Sequence, residues 1–117
     1  MPVALPIEIR QFVTDGGRVP FQEWRRGLKD PTVRQRVDTR LGRIRDGNLG
    51  DYRDLGEGLL EFRLTFGPGY RIYFARTEQA VVVLLAGGDK GSQSRDIELA
   101  REYLDQLHAK WEPNGHS

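Results

Sequence analysis

The chain has 117 residues, and its 18 lysines and arginines against 17 aspartates and glutamates leave a net charge of +1. An apolar fraction of 38% supports one small core, and the absence of cysteine excludes disulfide scaffolds, thiolate metal sites and cysteine nucleophiles. The longest apolar run, over residues 80–86, is too short to span a membrane, and the first residues lack a signal-peptide pattern. We expect a cytoplasmic protein with no membrane partner, folded as one domain over residues 1–112 with a flexible tail over residues 113–117.

The first half of the chain predicts one strand followed by two helices. Alternation over Ile7–Arg10 is typical of a strand. Pro20 begins a short helix, and the pair Asp30-Pro31 begins a second one that runs to Arg45. The apolar residues of the two helices recur at spacings of three and four: Phe21, Trp24, Leu28, Val33, Val37, Leu41 and Ile44. Because few residues join the helices, we expect a helix hairpin.

The second half predicts three strands and a helix. In chain order we expect a polar connection over 48–58, a strand over Leu60–Phe66, a turn over Gly67–Gly69, a return strand over Tyr70–Ala75, a central strand over Ala80–Ala86 and a helix from near Ser92 or Ser94. The order predicts an α+β fold with a mainly antiparallel four-stranded sheet, an N-terminal helix hairpin and a C-terminal helix. We expect the helices to cover one sheet face and the other face to stay open to solvent.

Polar side chains gather on the face that we expect to be open. A three-residue loop would pair Phe66 with Tyr70 and would make Arg63 and Arg71 diagonal neighbours, with Tyr73 and Glu61 beside them. Two arginines this close are unfavourable unless an anion lies between them. Alternatively, Glu61 neutralises Arg63 and both are ordinary surface residues. Lys90 follows the central strand and would reach the same face, or it is a plain loop lysine.

Positive charge is concentrated in the predicted helices. Residues 20–45 contain eight cations against three anions, a net charge of +5. Such a stretch favours a polyanionic partner or is simply a solvated helix face. The candidates for RNA binding are five arginines of the second helix: Arg34, Arg36, Arg40, Arg43 and Arg45.

Two strings resemble a known family. They are the residues Leu64-Thr-Phe-Gly-Pro-Gly-Tyr-Arg-Ile-Tyr-Phe74 and Leu84-Leu-Ala-Gly-Gly-Asp-Lys90. Together they resemble the RelE/ParE superfamily of toxins, most of all the HigB-like branch labelled addiction module killer proteins. The trailing residues Gln93, Arg95, Asp96 and Ile97 are also similar to that branch. The resemblance extends from about Phe12 to Leu107.

This resemblance implies a small RelE-like α+β domain and the toxin of a type II toxin–antitoxin system. Most characterised RelE-like members are ribosome-dependent, metal-independent endoribonucleases that cut mRNA, so the implied activity is that of an mRNA interferase without a cofactor. The alternatives are a ParE-like poison of DNA gyrase without nuclease activity, or an inactive member that binds an antitoxin or RNA. The implied partners are a cognate antitoxin of the helix-turn-helix type, the ribosome with its mRNA, and operator DNA through the antitoxin complex.

The resemblance also implies roles for individual residues. Arg71 matches the family's phosphate-stabilising strand arginine, Arg63 stands where many members have a basic residue, and Lys90 lies near the basic residue after the last strand. Tyr73 is a stacking or proton-donor candidate by its place on the strand alone. Glu61 replaces a lysine of RelE itself, and it is either a general-base candidate or a charge that repels RNA. His108 and His116 are expected to be solvent groups, and no metal site is expected.

Overall fold

The computed structural model describes residues 6–78 and 80–110. In this part of the chain the elements are β1 (Glu8–Gln11), α1 (Pro20–Gly27), α2 (Pro31–Arg45), β2 (Tyr52–Gly56), β3 (Leu59–Arg63), β4 (Arg71–Glu78), β5 (Val81–Gly88), a 3-10 turn (Lys90–Ser92) and α3 (Gln93–Lys110). None of the helices in these ranges is long and apolar enough to cross a membrane. The predicted tail over 113–117 lies outside the described residues.

The described strands form one five-stranded sheet in the order β1-β5-β4-β3-β2. β1 runs parallel to β5, and the other neighbouring pairs are antiparallel. The prediction of an α+β fold with a mainly antiparallel sheet is confirmed, and β5 is an interior strand as its apolar sequence predicted. The predicted number of four strands is wrong, because β2 lies in the segment expected to be a polar connection. Most of its residues are exposed at the edge of the sheet, so it carries no apolar alternation.

Helices cover both faces of the sheet. On one face, Phe21 of α1 and Val37 and Leu41 of α2 pack with Phe62 and Phe74. On the other face, α3 packs its buried residues against a second group of strand side chains: Ala100 and Leu104 against Leu59, Tyr73, Ala75, Val83 and Leu85. The expectation of one open face is therefore wrong. The strands carry large apolar side chains on both faces, and the apolar stripe of α3 needs one of those faces for its own burial.

The hairpin between β3 and β4 has a wider loop than predicted. Arg63 pairs with Arg71, not with Tyr73, so the predicted register is wrong by two residues. The last hydrogen bond between the two sides of the hairpin is 3.0 Å from Leu64 N to Tyr70 O, and within the loop Gly69 N donates to Phe66 O at 3.3 Å. Beyond it the ring of Phe66 packs 5.5 Å from that of Tyr70, and the turn passes through Gly69 with a φ of +79°. Because the error is an even number of residues, every side chain stays on its predicted face.

The helix boundaries follow local signals. The Asp30 side chain accepts a hydrogen bond of 2.9 Å from Thr32 N, and Pro31 is the first residue of α2, as predicted. Ahead of α3, the Asp89 carboxylate accepts a hydrogen bond of 3.1 Å from Ser92 N, and this reciprocal cap begins the turn that leads into the helix. The loop after β5 is therefore rigidly tied to the start of α3.

Candidate functional site

Three cations meet at one corner of the sheet. Arg71 is the first residue of β4, and its strand partners are Arg63, the last residue of β3, and Gly88, the last residue of β5. Lys90 follows two residues later, and its backbone N lies 3.4 Å from Pro68 O in the β3–β4 loop. Because a Cβ atom built on Gly69 would lie 3.1 Å from Arg71 Nη1 and 3.4 Å from Lys90 Cβ, both side chains pass close to that loop. Chain topology thus brings together the three cations expected from the sequence.

The Arg71 guanidinium is held on two sides. Its Nη1 donates a hydrogen bond of 2.7 Å to Gly69 O, and its Nε lies 3.6 Å from Glu61 Oε2. The side chain is 12% exposed, so the group lies at the margin of the interior. A guanidinium has five N–H donors, and these contacts use only part of that capacity.

Glu61 is fully buried, which contradicts its expected place on an open face. Its Oε2 accepts a hydrogen bond of 2.9 Å from Nε2 of Gln93, the first residue of α3. Its Oε1 is also buried and has no hydrogen-bond partner among the described residues. A buried carboxylate is strongly unfavourable unless a cation compensates it, and Arg71 supplies that charge. The alternative pairing of Glu61 with Arg63 is not found.

Tyr73 is also fully buried, so its expected exposure is wrong as well. It lies directly opposite Glu61 in the β3–β4 pair, beneath α3. Its hydroxyl makes no hydrogen bond of normal length in the described part of the chain, but the Glu61 carboxylate lies near enough to raise its pKa. Burial, followed by the negative charges of Glu61 and Asp96, raises the pKa of Tyr73 well above its usual value, so the phenol stays protonated at neutral pH. Neither Tyr73 nor Glu61 presents a surface to an RNA strand.

Arg63 is the more accessible strand arginine, with a side chain 36% exposed. Its Nε lies 3.4 Å from Oδ2 of Asp51, a half-exposed residue just before β2. This pair is weakly coupled because water screens both charges. Arg63 can therefore exchange Asp51 for another anion at small cost.

Hydrogen bonding and close packing within the segment from Gly88 to Asp96 help to fix the geometry of the corner. Ser92 Oγ donates a hydrogen bond to Asp96 Oδ2, and the Asp96 carboxylate lies directly over Gly88. A Cβ atom at Gly88 would be 1.8 Å from that oxygen. Gln93 and Asp96 were named from the sequence only as part of the family resemblance, and neither was predicted to contact the corner. The spacing of four between Ser92 and Asp96 is the one local signal for their contact.

The five arginines of α2 divide into two kinds. Arg40 donates to three backbone carbonyls, at 2.8 Å to Arg63 O, 3.1 Å to Leu49 O and 2.7 Å to Asp51 O. Burial lowers its pKa below the usual arginine value, although the group remains charged. Arg34 donates to Leu28 O. These two side chains donate hydrogen bonds to backbone carbonyls of other segments, so fewer of their N–H groups remain available to bind a ligand.

Arg36 and Arg43 line a groove beside α2, together with part of Arg40. Arg36 lies over the ring of Phe66, 4.9 Å from its centroid. A cavity of about 290 Å³ separates this part of α2 from the β3–β4 loop. Its lining is basic and polar with one aromatic ring: Arg36, Thr39, Arg40, Arg43, Leu64, Thr65 and Phe66. Arg45 is exposed at the end of α2. The groove presents cations and an aromatic face to solvent, which suits an anionic strand with stacking bases.

Among residues 6–78 and 80–110, no three histidines, cysteines, aspartates or glutamates lie close enough to hold a metal ion. His108 is exposed on α3, and His116 lies outside the described residues.

Comparison with known proteins finds no matching family model. A protein of Haemophilus influenzae with the description "Uncharacterized protein" is 34% identical to this chain over 87 residues. The matched segment is 74% of this chain and 88% of the relative. This chain and the Haemophilus influenzae protein therefore belong to one protein family.

Proposed function

We propose that this protein is the toxin of a type II toxin–antitoxin system, with a RelE-like fold of the HigB-like branch, and that it cleaves mRNA on the ribosome in the cytoplasm. The observation that carries the proposal is the convergence of Arg63, Arg71 and Lys90 at one corner of the sheet. The two strings that resemble the family supply Arg71 and Lys90, since one covers the β3–β4 loop and the first half of β4 and the other covers the end of β5 and the residues after it.

The chemistry that suits this corner is stabilisation of negative charge. When the 2′-hydroxyl of RNA attacks the neighbouring phosphate, charge builds up on the phosphorane oxygens. Arg71 is preoriented by its two contacts and would meet these oxygens with its remaining donors. Arg63 and Lys90 would hold the flanking phosphates. Glu61 and Tyr73 are too deeply buried to exchange protons with the substrate, so we assign them positions behind Arg71, not in contact with RNA.

The groove beside α2 extends the same proposal to binding. Arg36, Arg43 and Arg45 would contact phosphates, and the exposed part of Phe66 would stack on a base. Arg34 and Arg40 support this surface from within through their backbone contacts. Binding through phosphates weakens as salt rises, so affinity for RNA should fall steeply with ionic strength.

The proposed partners follow from the proposed role. A cognate antitoxin of the helix-turn-helix type would cover the basic corner or prevent entry to the ribosome, and an acidic segment would complement the cations there. The complex would bind operator DNA through the antitoxin.

The deciding experiment is primer extension on a reporter mRNA in a purified translation system. We compare the wild type with Arg71→Ala and with Arg26→Ala, which removes the same charge from an exposed position on α1. We expect cuts that require ribosomes, that persist in Arg26→Ala and that fall by at least 100-fold in Arg71→Ala, as for loss of one preorganised charge-stabilising group. Equal cutting by all three proteins would remove Arg71 from the chemistry.

One observation favours a second candidate function. The two residues expected to transfer protons, Glu61 and Tyr73, are both fully buried, and this is more easily reconciled with a protein that acts by binding alone. A ParE-like poison of DNA gyrase would inhibit supercoiling without cutting mRNA, and Arg71→Ala would retain that inhibition. A protein inactive in both assays would be the third kind, a member that binds only an antitoxin or RNA.

A further inference from the structure

We infer that Glu61, Gln93 and the carbonyl of Gly69 form a clamp that restricts the orientation of the Arg71 guanidinium, with Glu61 and Gln93 acting as positioning residues. The link to catalysis rests on the proposed function, whereas the clamp itself is a property of the fold. Glu61 is fully buried, and Gln93 is half-buried at the start of α3.

The first half of the clamp is the carboxylate. Glu61 is fully buried, and its Oε2 faces both Gln93 Nε2 at 2.9 Å and Arg71 Nε at 3.6 Å. Among the described residues, the cation that pairs with this buried carboxylate is Arg71. Rotation of the guanidinium into solvent would leave the carboxylate buried without a cation, so the carboxylate holds Arg71 inward.

The second half is the carbonyl of Gly69. Arg71 Nη1 donates to it at 2.7 Å, and the positive φ of Gly69 directs the turn so that this contact forms. A side chain at residue 69 would begin 3.1 Å from the same nitrogen. The hydrogen bond at Nη1 restricts the planar guanidinium, and the ion-pair contact of Nε with Glu61 adds to that restriction, although at 3.6 Å it is too long to be a hydrogen bond. An ammonium group at this position would not make both contacts.

Gln93 connects the clamp to α3. It is the first residue of that helix, and the Asp89–Ser92 cap immediately before it holds the helix start in place. Its amide orients the carboxylate that in turn orients Arg71, across 32 residues of chain. The direction of the Arg71 donors therefore depends on the docking of α3 against the sheet.

The test is the Nε–Hε resonance of Arg71 in ¹⁵N NMR, assigned by its disappearance in Arg71→Lys. Glu61→Gln keeps the size of the side chain and removes its charge, and Gln93→Met keeps the length and removes the donor. We expect a displaced resonance in both variants and a solvent exchange of Hε at least tenfold faster than in the wild type. Asp51→Asn is the matched control, because it removes the carboxylate beside Arg63 and should leave the Arg71 resonance unchanged.

Cleavage assays complete the test. We expect Glu61→Gln and Gln93→Met to lower kcat by on the order of 10- to 100-fold with little change in KM, since a misdirected group loses transition-state contacts. An Arg71 resonance and a kcat equal to those of the wild type in a folded Glu61→Gln or Gln93→Met protein would overturn the clamp. Should Glu61→Gln not fold, Gln93→Met alone decides, because it leaves the carboxylate in place. If the wild type cuts no RNA, the proposed function fails while the NMR comparison still decides whether the clamp exists.

Discussion

Replacement of Gly88 by alanine tests the packing of the corner most directly. The added Cβ would lie 1.8 Å from Asp96 Oδ2, whereas an ordinary contact begins at 3.4 Å, so the carboxylate must withdraw by about 1.6 Å. That displacement breaks the hydrogen bond that Ser92 Oγ donates to Asp96. The change is therefore expected to loosen the start of α3 without any change of charge.

The magnitude follows from the lost contact. A hydrogen bond to a charged group contributes about 1.5–3 kcal/mol, and we expect Gly88→Ala to lower the free energy of unfolding by that amount. For a domain of this size the corresponding fall in Tm is roughly 5–12 °C. Thermal and urea unfolding followed by circular dichroism would measure it. Gly42→Ala is the control, because a Cβ there meets nothing within 4 Å and the helix should gain about 0.5–1 kcal/mol.

A double-mutant cycle identifies the cause. If the clash with Asp96 is responsible, Gly88→Ala should cost much less in an Asp96→Ala background, because the obstructing carboxylate is gone. A cost that is the same in both backgrounds, or a Gly88→Ala protein as stable as the wild type, would refute the described packing of α3 on β5.

Two further predictions concern buried polar groups. Arg40→Ala should lower the free energy of unfolding by about 2–4 kcal/mol, because three backbone carbonyls lose their donor. The control variant Arg43→Ala should change it by less than about 0.5 kcal/mol. Urea denaturation that ranks the two variants in the opposite order would contradict the structural role of Arg40. Tyr73→Phe should be as stable as the wild type at pH 7, since the phenol makes no hydrogen bond of normal length among the described residues. The raised pKa of Tyr73 means that the folded state retains its proton where the unfolded state loses it, so its contribution is complete below about pH 10 and declines above that pH. Stability measured from pH 8 to 11 should therefore fall less in Tyr73→Phe than in the wild type, and parallel curves would contradict the burial of the phenol.

The helices and the central strands were predictable because their signals are local. Apolar spacing and the Asp30-Pro31 pair placed α2 over the range that the structure shows. Alternation over β3 and β4 assigned each side chain to the correct face, since that assignment depends only on parity. The register was wrong because it depends on the length of the connecting loop, which begins after Leu64 and not after Phe66.

The candidate site was predictable in part. The order of strands is sufficient to place Arg63, Arg71 and Lys90 at one corner, because hairpin partners end and begin together. The burial of Glu61 and Tyr73 was not predictable from their neighbours in sequence, since both residues are covered by a helix that begins at residue 93. The exposed strand β2 was not predicted for a related reason. Pairing at a sheet edge uses backbone groups, so it leaves no pattern in the side chains.

By itself, the sequence determined the identity and order of most elements and the face that each strand residue occupies, because these depend on steric preferences between near neighbours. The tertiary structure decided that α3 covers the second face of the sheet and that Gln93 meets Glu61 across 32 residues. It also showed that the site, which was expected on an open face, is partly enclosed, with Arg71 at its margin. The physical reason is that burial and charge compensation are set by elements brought together from distant parts of the chain, so they have no local record in the sequence.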